Sequence, residues 1–191
     1  MKCFAALPVL ILAACPCFAQ NGDKPFPSND EIKLLLTQAD RAMEQYKAAG
    51  NLEEAQFEKS SGEADAVAKD REVAANYEIM SKGMKTKPQL FNSRFGFEIV
   101  TLLDDAVHNS LLCSTQAAMD IPRASNVSET QSFLHLAQAC SDTSTLLYTV
   151  SENAAALYEK YLAAAEELQN ESAEVATKCT DILKKNATSQ R

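Results

Sequence analysis

From Ser128 to Lys185 the chain runs for 58 residues without a glycine or a proline. Within this run an apolar or small residue returns at every seventh position: Phe133, Cys140, Leu147, Ala154, Tyr161, Leu168, Val175 and Ile182. At 3.6 residues per turn, every seventh side chain comes back to nearly the same face, so a repeat held this long is a helical signal. Leu136, Val150, Leu157 and Ala164 form the companion row, which turns polar at Thr143, Glu171 and Lys178. An unbroken helix of this length measures roughly 87 Å. Because Ser141-Asp142-Thr143-Ser144 places four short polar side chains in competition for backbone hydrogen bonds, the pattern predicts one break there.

The remaining composition fits the same class. Only 5 of the 191 residues are glycine, 46% are hydrophobic and 23% are charged. This excludes a disordered or fibrous chain and argues against strands joined by tight turns. The expected fold is all-α: an up-and-down helical bundle of four or five helices with one long, heptad-patterned C-terminal stretch, occupying residues 28–186. Residues 20–27 read as a flexible lead and residues 187–191 as a frayed tail.

Met1 to Ala19 has the order of an export signal: Lys2, an apolar stretch from Phe4 to Ala14, then a small-x-small end at Cys17-Phe18-Ala19. Leu12-Ala13-Ala14-Cys15 resembles the lipobox of bacterial lipoproteins, which implies lipidation at Cys15 and a tether to the membrane. Pro16, a helix breaker of the kind that precedes cleavage sites, favours plain cleavage after Ala19. The expected location is periplasmic or secreted, with lipid anchoring as the alternative. Loss of residues 1–19 removes one lysine and no acid, which takes the net charge from −8 to −9. An acidic chain is a poor partner for nucleic acid or anionic membrane surfaces. No transmembrane helix is expected in the mature chain, since its longest uncharged run, in the third helix, is short and interspersed with polar residues.

Along the mature chain, Ser28-Asn29-Asp30-Glu31 has capping-box spacing. It predicts a helix to Ala49 with Gly50 as its stop, burying Ile32, Leu35, Leu36, Ala39, Ala42, Met43 and Tyr46. Residues 51–82 read as a second helical stretch, interrupted at Ser60-Ser61-Gly62. Its apolar positions after the interruption are Ala66, Val73, Tyr77, Met80 and Met84. Ala42, Tyr46, Gly50, Leu52 and Ala55 resemble the turn of a tetratricopeptide repeat, but no second copy follows at a 34-residue period. Residues 83–96 read as irregular. Phe91, Arg94 and Phe95 in that stretch read first as a plug over the core, since monomers rarely leave large apolar patches exposed, and Arg among aromatics keeps a contact loop as the alternative.

The third helix, Phe97 to Met119, carries Ile99, Leu103, Ala106, Ser110, Cys113 and Ala117 on one face. Val100, Val107, Leu111 and Ala118 lie on a neighbouring face, so the helix is expected in the middle of the bundle. Pro122 closes it, and Ser128 with Gln131 is expected to open the long run.

Chemistry-bearing sets are sparse. Asp104, Asp105 and His108 share a helix and His135 lies on the next, but the Glu-x-x-His pairs of bundle metal sites are missing, so no metal or other cofactor is expected. There is no phosphate loop, no Cys-x-x-Cys after the signal and no nucleophile elbow. An enzyme is therefore not expected. Three cysteines remain after cleavage. An antiparallel hairpin turning near residue 125 places Cys113 one turn from Cys140, which predicts a disulfide and leaves Cys179 over. Sequons occur at Asn126, Asn170 and Asn186. No family resemblance extends over the chain. The expected function is an exported, non-catalytic interaction or scaffold module that binds a protein partner or itself. A carrier of a small apolar ligand or metal between helices is the alternative.

Overall fold

A computed structural model describes residues 25–57 and 64–189, with side chains at 25–56 and 67–184. Four helices follow one another up and down: α1 (Asn29–Phe57), α2 (Ala64–Thr86), α3 (Ser93–Asp120) and α4 (Val127–Ser189). Single 3-10 turns at Pro88–Leu90 and Ile121–Arg123 join α2 to α3 and α3 to α4. The helices form a square in which α1 and α3 each lie beside α2 and α4, and the α3/α4 pair is the most extensive. Among the described residues there is no strand.

The first helix starts where its capping box sits. The Ser28 backbone N–H donates to Glu31 Oε2 at 2.8 Å, and the Glu31 N–H donates to Ser28 Oγ at 3.2 Å. All seven of its expected core residues, from Ile32 to Tyr46, are buried. Gly50 does not stop the helix. No glycine in the described residues has a positive φ, and the chain past Gly50 finds new partners: Glu53 is buried and Glu54 pairs with Arg71 of α2. The break expected at Ser60-Ser61-Gly62 lies outside the described residues, as do Ala66's side chain and the whole of Met1 to Lys24.

The second helix runs to Thr86, and the irregular stretch expected over 83–96 contracts to a few residues around the Pro88 turn. Asn92 then caps α3, its Oδ1 accepting from the N–H groups of Arg94 and Phe95 at 3.0 and 3.1 Å. Polar bonds hold α2 against its neighbours. The Tyr77 hydroxyl donates to Asp40 Oδ1 at 3.1 Å, Ser81 donates to the same oxygen at 2.9 Å, and Lys85 pairs with Asp40. Tyr46 donates to Asp70 Oδ1 at 2.6 Å and accepts from Asn109 Nδ2 at 3.0 Å. Burial, and then the neighbouring Asp70 carboxylate, push the Tyr46 hydroxyl well above its ordinary pKa.

On α3 the expected face is buried from Ile99 to Ala117. Its second face is not: Val100 and Val107 are half-buried, while Leu111 and Ala118 are exposed. In a square of four helices each has an outer side in solvent, so α3 is a wall of the bundle and not its centre.

The fourth helix is continuous from Val127 to Ser189, without the break expected at Ser141 to Ser144. Ser144 Oγ and Thr145 Oγ1 both donate to the Ser141 carbonyl, at 2.8 and 3.0 Å, and so satisfy themselves within the helix. Cys140 and Leu147 are buried on either side, and Thr143 and Ser144 are buried with them, so packing on α3 holds the segment straight. The helix is capped by Asn126 and not Ser128, two residues earlier than expected: Asn126 Oδ1 accepts from the Glu129 N–H at 3.0 Å. It remains helical through Ser189, including 187–189 of the segment expected to fray.

Candidate functional site

The long helix changes character along its length. Phe133, Leu136, Cys140, Thr143, Leu147, Val150 and Ala154 are buried between the other helices, and Ala164 is the last buried residue. The bundle ends at that level. Lys160 Nζ bonds Glu31 Oε1 in the first turn of α1 at 2.7 Å, and the Tyr158 hydroxyl donates to the Ser93 carbonyl at the start of α3 at 3.0 Å. Phe26, just before α1, sets its ring 5.4 Å from that of Tyr161. Past Ala164, Ala165 to Ser189 projects beyond the bundle, 25 residues and roughly 37 Å of helix.

The seven-residue repeat continues along this projection with nothing to cover it. Leu168, Val175 and Ile182 are 45, 45 and 58% exposed, and the neighbouring Leu183 is 66% exposed. They form a stripe in line with the buried seam below. The polar residues follow a second pattern. Glu166, Glu167, Glu171 and Glu174 occupy the half near the bundle, and Lys178, Lys184 and Lys185, with Asp181, occupy the far half. Lys178 bridges Glu174 within the helix at 2.6 Å, with both side chains about two-thirds exposed, and this bond holds the Glu174 carboxyl below its ordinary pKa.

Cys113 and Cys140 are joined, with Sγ atoms 2.05 Å and Cα atoms 6.0 Å apart, at the base of the α3/α4 hairpin tip. Around them pack Ala49, Ala117, Phe133 and Leu136. Cys179 is a free thiol, exposed on the projection. Cys15 lies outside the described residues.

The three residues read as a plug or, alternatively, a contact loop separate. Phe91 is 3% exposed and packs into the core as a plug, Phe95 is half-buried, and Arg94 is exposed and pairs with Glu98 at 3.0 Å. His108 and His135 are both exposed. Because Ser114 bonds the Ala137 carbonyl, His135 is level with about residue 116, eight residues or roughly 12 Å along α3 from His108. Asp104 accepts a hydrogen bond from Ser151 of α4 and so serves the α3/α4 contact. Among the described residues no group of three or more His, Cys, Asp and Glu is placed to hold a metal ion.

A cleft of about 290 Å³ opens between α1 and α2, lined by Tyr46, Gly50, Asp70, Arg71 and Ala74 among others. Its wall carries the Tyr46–Asp70 bond and the Lys47–Glu78 and Arg71–Glu54 pairs flank it, while the greater part of its lining is apolar. No helix of the described residues is long and apolar enough to cross a membrane. With these surfaces in view, the chain belongs to the class of all-α bundles in which one helix outruns its neighbours. No protein-family model, curated protein or solved structure matches it.

Proposed function

We propose that this chain is an exported, non-catalytic interaction module in which the bundle is the base and the projecting end of α4 is the docking element. The observation that carries the proposal is the exposed stripe of Leu168, Val175 and Ile182 on a helix with no neighbour. Leaving three large aliphatic side chains half in water forgoes burial that stabilises each by about 1.5–3 kcal/mol when complete. A partner helix recovers that burial in the way amphipathic helices and grooves recognise one another. Export is supported by the order of Met1 to Ala19 and by the Cys113–Cys140 bond, since such bonds persist in oxidising compartments.

A photo-crosslinking residue placed at Val175 or Ile182, in the chain expressed in its own host, tests the proposal. Covalent products are expected from these two sites and not from Ala173 or Thr180 on the opposite side. Products that do not depend on the face, or none from the stripe, refute it.

A further inference from the structure

The partner of the projecting helix can be read from its charges. Under the docking function proposed above, on which this inference rests, the occupant must cover an apolar stripe flanked by Glu167, Glu171 and Glu174 in the half near the bundle and by Lys178 and Lys185, with Asp181, in the far half. We infer that the occupant is a second copy of this chain, with the two projections packed antiparallel. A two-fold axis across the middle of the projection lays the glutamate half of each copy against the lysine half of the other. Parallel pairing instead sets Glu171 against Glu171 and Lys178 against Lys178, and like charges at the seam are unfavourable.

The heptad phase restricts the register. Antiparallel coiled coils pair an apolar-row residue with a companion-row residue. Setting Val175 beside Lys178 of the second copy and Ile182 beside Glu171 does this, and it centres the pair between Ala176 and Thr177 on the described projection. In this register Glu171 lies four residues, roughly 6 Å along the axis, from Lys178 of the other copy, within reach of two long side chains. The intrahelical Glu174–Lys178 bridge does not oppose this, because an ion pair so exposed is weak and exchanges readily. Each tip also arrives beside Phe26 and Tyr161 on the other bundle, which cap the base of the projection. The stripe is narrow for a protein interface, so the dimer is one that forms and separates with concentration.

The test uses the full exported chain carrying Cys179→Ser, so that no disulfide joins two copies. Sedimentation over a series from about 1 µM to about 1 mM should show the mass rising from monomer towards dimer. Val175→Asp should abolish the rise while leaving the melting temperature unchanged, because residue 175 supports no bundle contact. Glu171→Lys and Lys178→Glu should each weaken the dimer roughly tenfold, and the double variant should recover it. A spin label on Glu166→Cys should report two labels offset by 21 residues, about 32 Å along the axis. A chain that stays monomeric throughout overturns the inference, as does a dimer indifferent to Val175→Asp or one with labels closer than about 20 Å. If the chain is monomeric but a residue at Val175 crosslinks a different protein in the host, the self-pairing fails while the docking function stands. If neither occurs, both fail.

Discussion

Gly96 lies in the first turns of α3, where the end of the bundle is closed by two rings. A Cβ built on Gly96 falls 2.8 Å from Cδ2 of Tyr158 and 3.3 Å from Cζ of Phe91. Real side chains do not tolerate the first distance, and neither ring is free to withdraw: Phe91 is 3% exposed, and the Tyr158 hydroxyl is tied to the Ser93 carbonyl at 3.0 Å. Gly96→Ala therefore sets two effects against each other. Helix propensity gains about 1 kcal/mol. Overpacking costs about 1–3 kcal/mol, and displacing the Tyr158 hydroxyl costs about 1 more. The net expectation is a loss of about 1–3 kcal/mol, read as a lower urea midpoint at unchanged slope. The cause is isolated by repeating the substitution in a Tyr158→Ala chain. There the 2.8 Å conflict is gone, and Gly96→Ala should become neutral or stabilising by up to about 1 kcal/mol. A Gly96→Ala chain as stable as its parent, or a cost that persists without Tyr158, refutes the reasoning.

Reduction of the Cys113–Cys140 bond reopens a loop with a sequence separation of 27, which by the chain-entropy relation lowers stability by about 3.5 kcal/mol. Denaturation with and without reductant measures this, and an unchanged midpoint counts against it. Leu147→Ala, in the fully buried part of α4, should cost about 2–5 kcal/mol, whereas Val175→Ala on the projection should stay within about 0.5 kcal/mol in dilute monomer. Equal costs would mean that the projection is packed after all. The hydrogen bond from Lys160, with those from Ser28, lowers the Glu31 carboxyl to about 2 from 4.5. A depressed carboxyl stabilises the fold fully above pH 4.5 and loses that contribution as pH falls towards about 2. The melting-temperature difference between the parent and Glu31→Gln should therefore close across that window, and its persistence at the acid end would exclude the pair as the cause. The effect should be small, because the pair is exposed.

The faces of the helices were legible because their apolar residues recur at three and four, a spacing that survives whatever the helix packs against. All seven α1 positions and the Ile99 to Ala117 face of α3 are buried for this reason. Helix ends were less legible. Gly50 and Ser141 to Ser144 have the local preference to end or bend a helix, but burial of Glu53, Thr143 and Ser144 outweighs a preference of about 1 kcal/mol or less per residue. The bonds of Tyr46 with Asp70 and Asn109, and of Tyr77 and Ser81 with Asp40, could not be read at all. They depend on the relative height of two helices, which no periodicity within one helix sets. The one available signal is that Asp40 follows the core residue Ala39 and precedes Ala42, at the edge of a buried stripe.

The α4 sequence also marks where the bundle stops. Through the bundle the companion row is Leu136, Thr143, Val150, Leu157 and Ala164, none of them charged, as a position packed against other helices requires. At the next step it becomes Glu171 and then Lys178, while the main row keeps Leu168, Val175 and Ile182. A helix that merely overran its bundle would have no reason to keep large aliphatic residues at three successive heptads. A helix buried by the bundle would have no use for charges beside them. The combination fits a seam with one apolar row and one row of long, oppositely charged stems, and under two-fold symmetry those charges find their opposites in a copy of the same helix. The change falls between Ala164 and Glu171, just past the level where Glu31 and Ser93 mark the first turns of α1 and α3, so the end of the bundle and the start of the proposed docking seam are set by the same few residues.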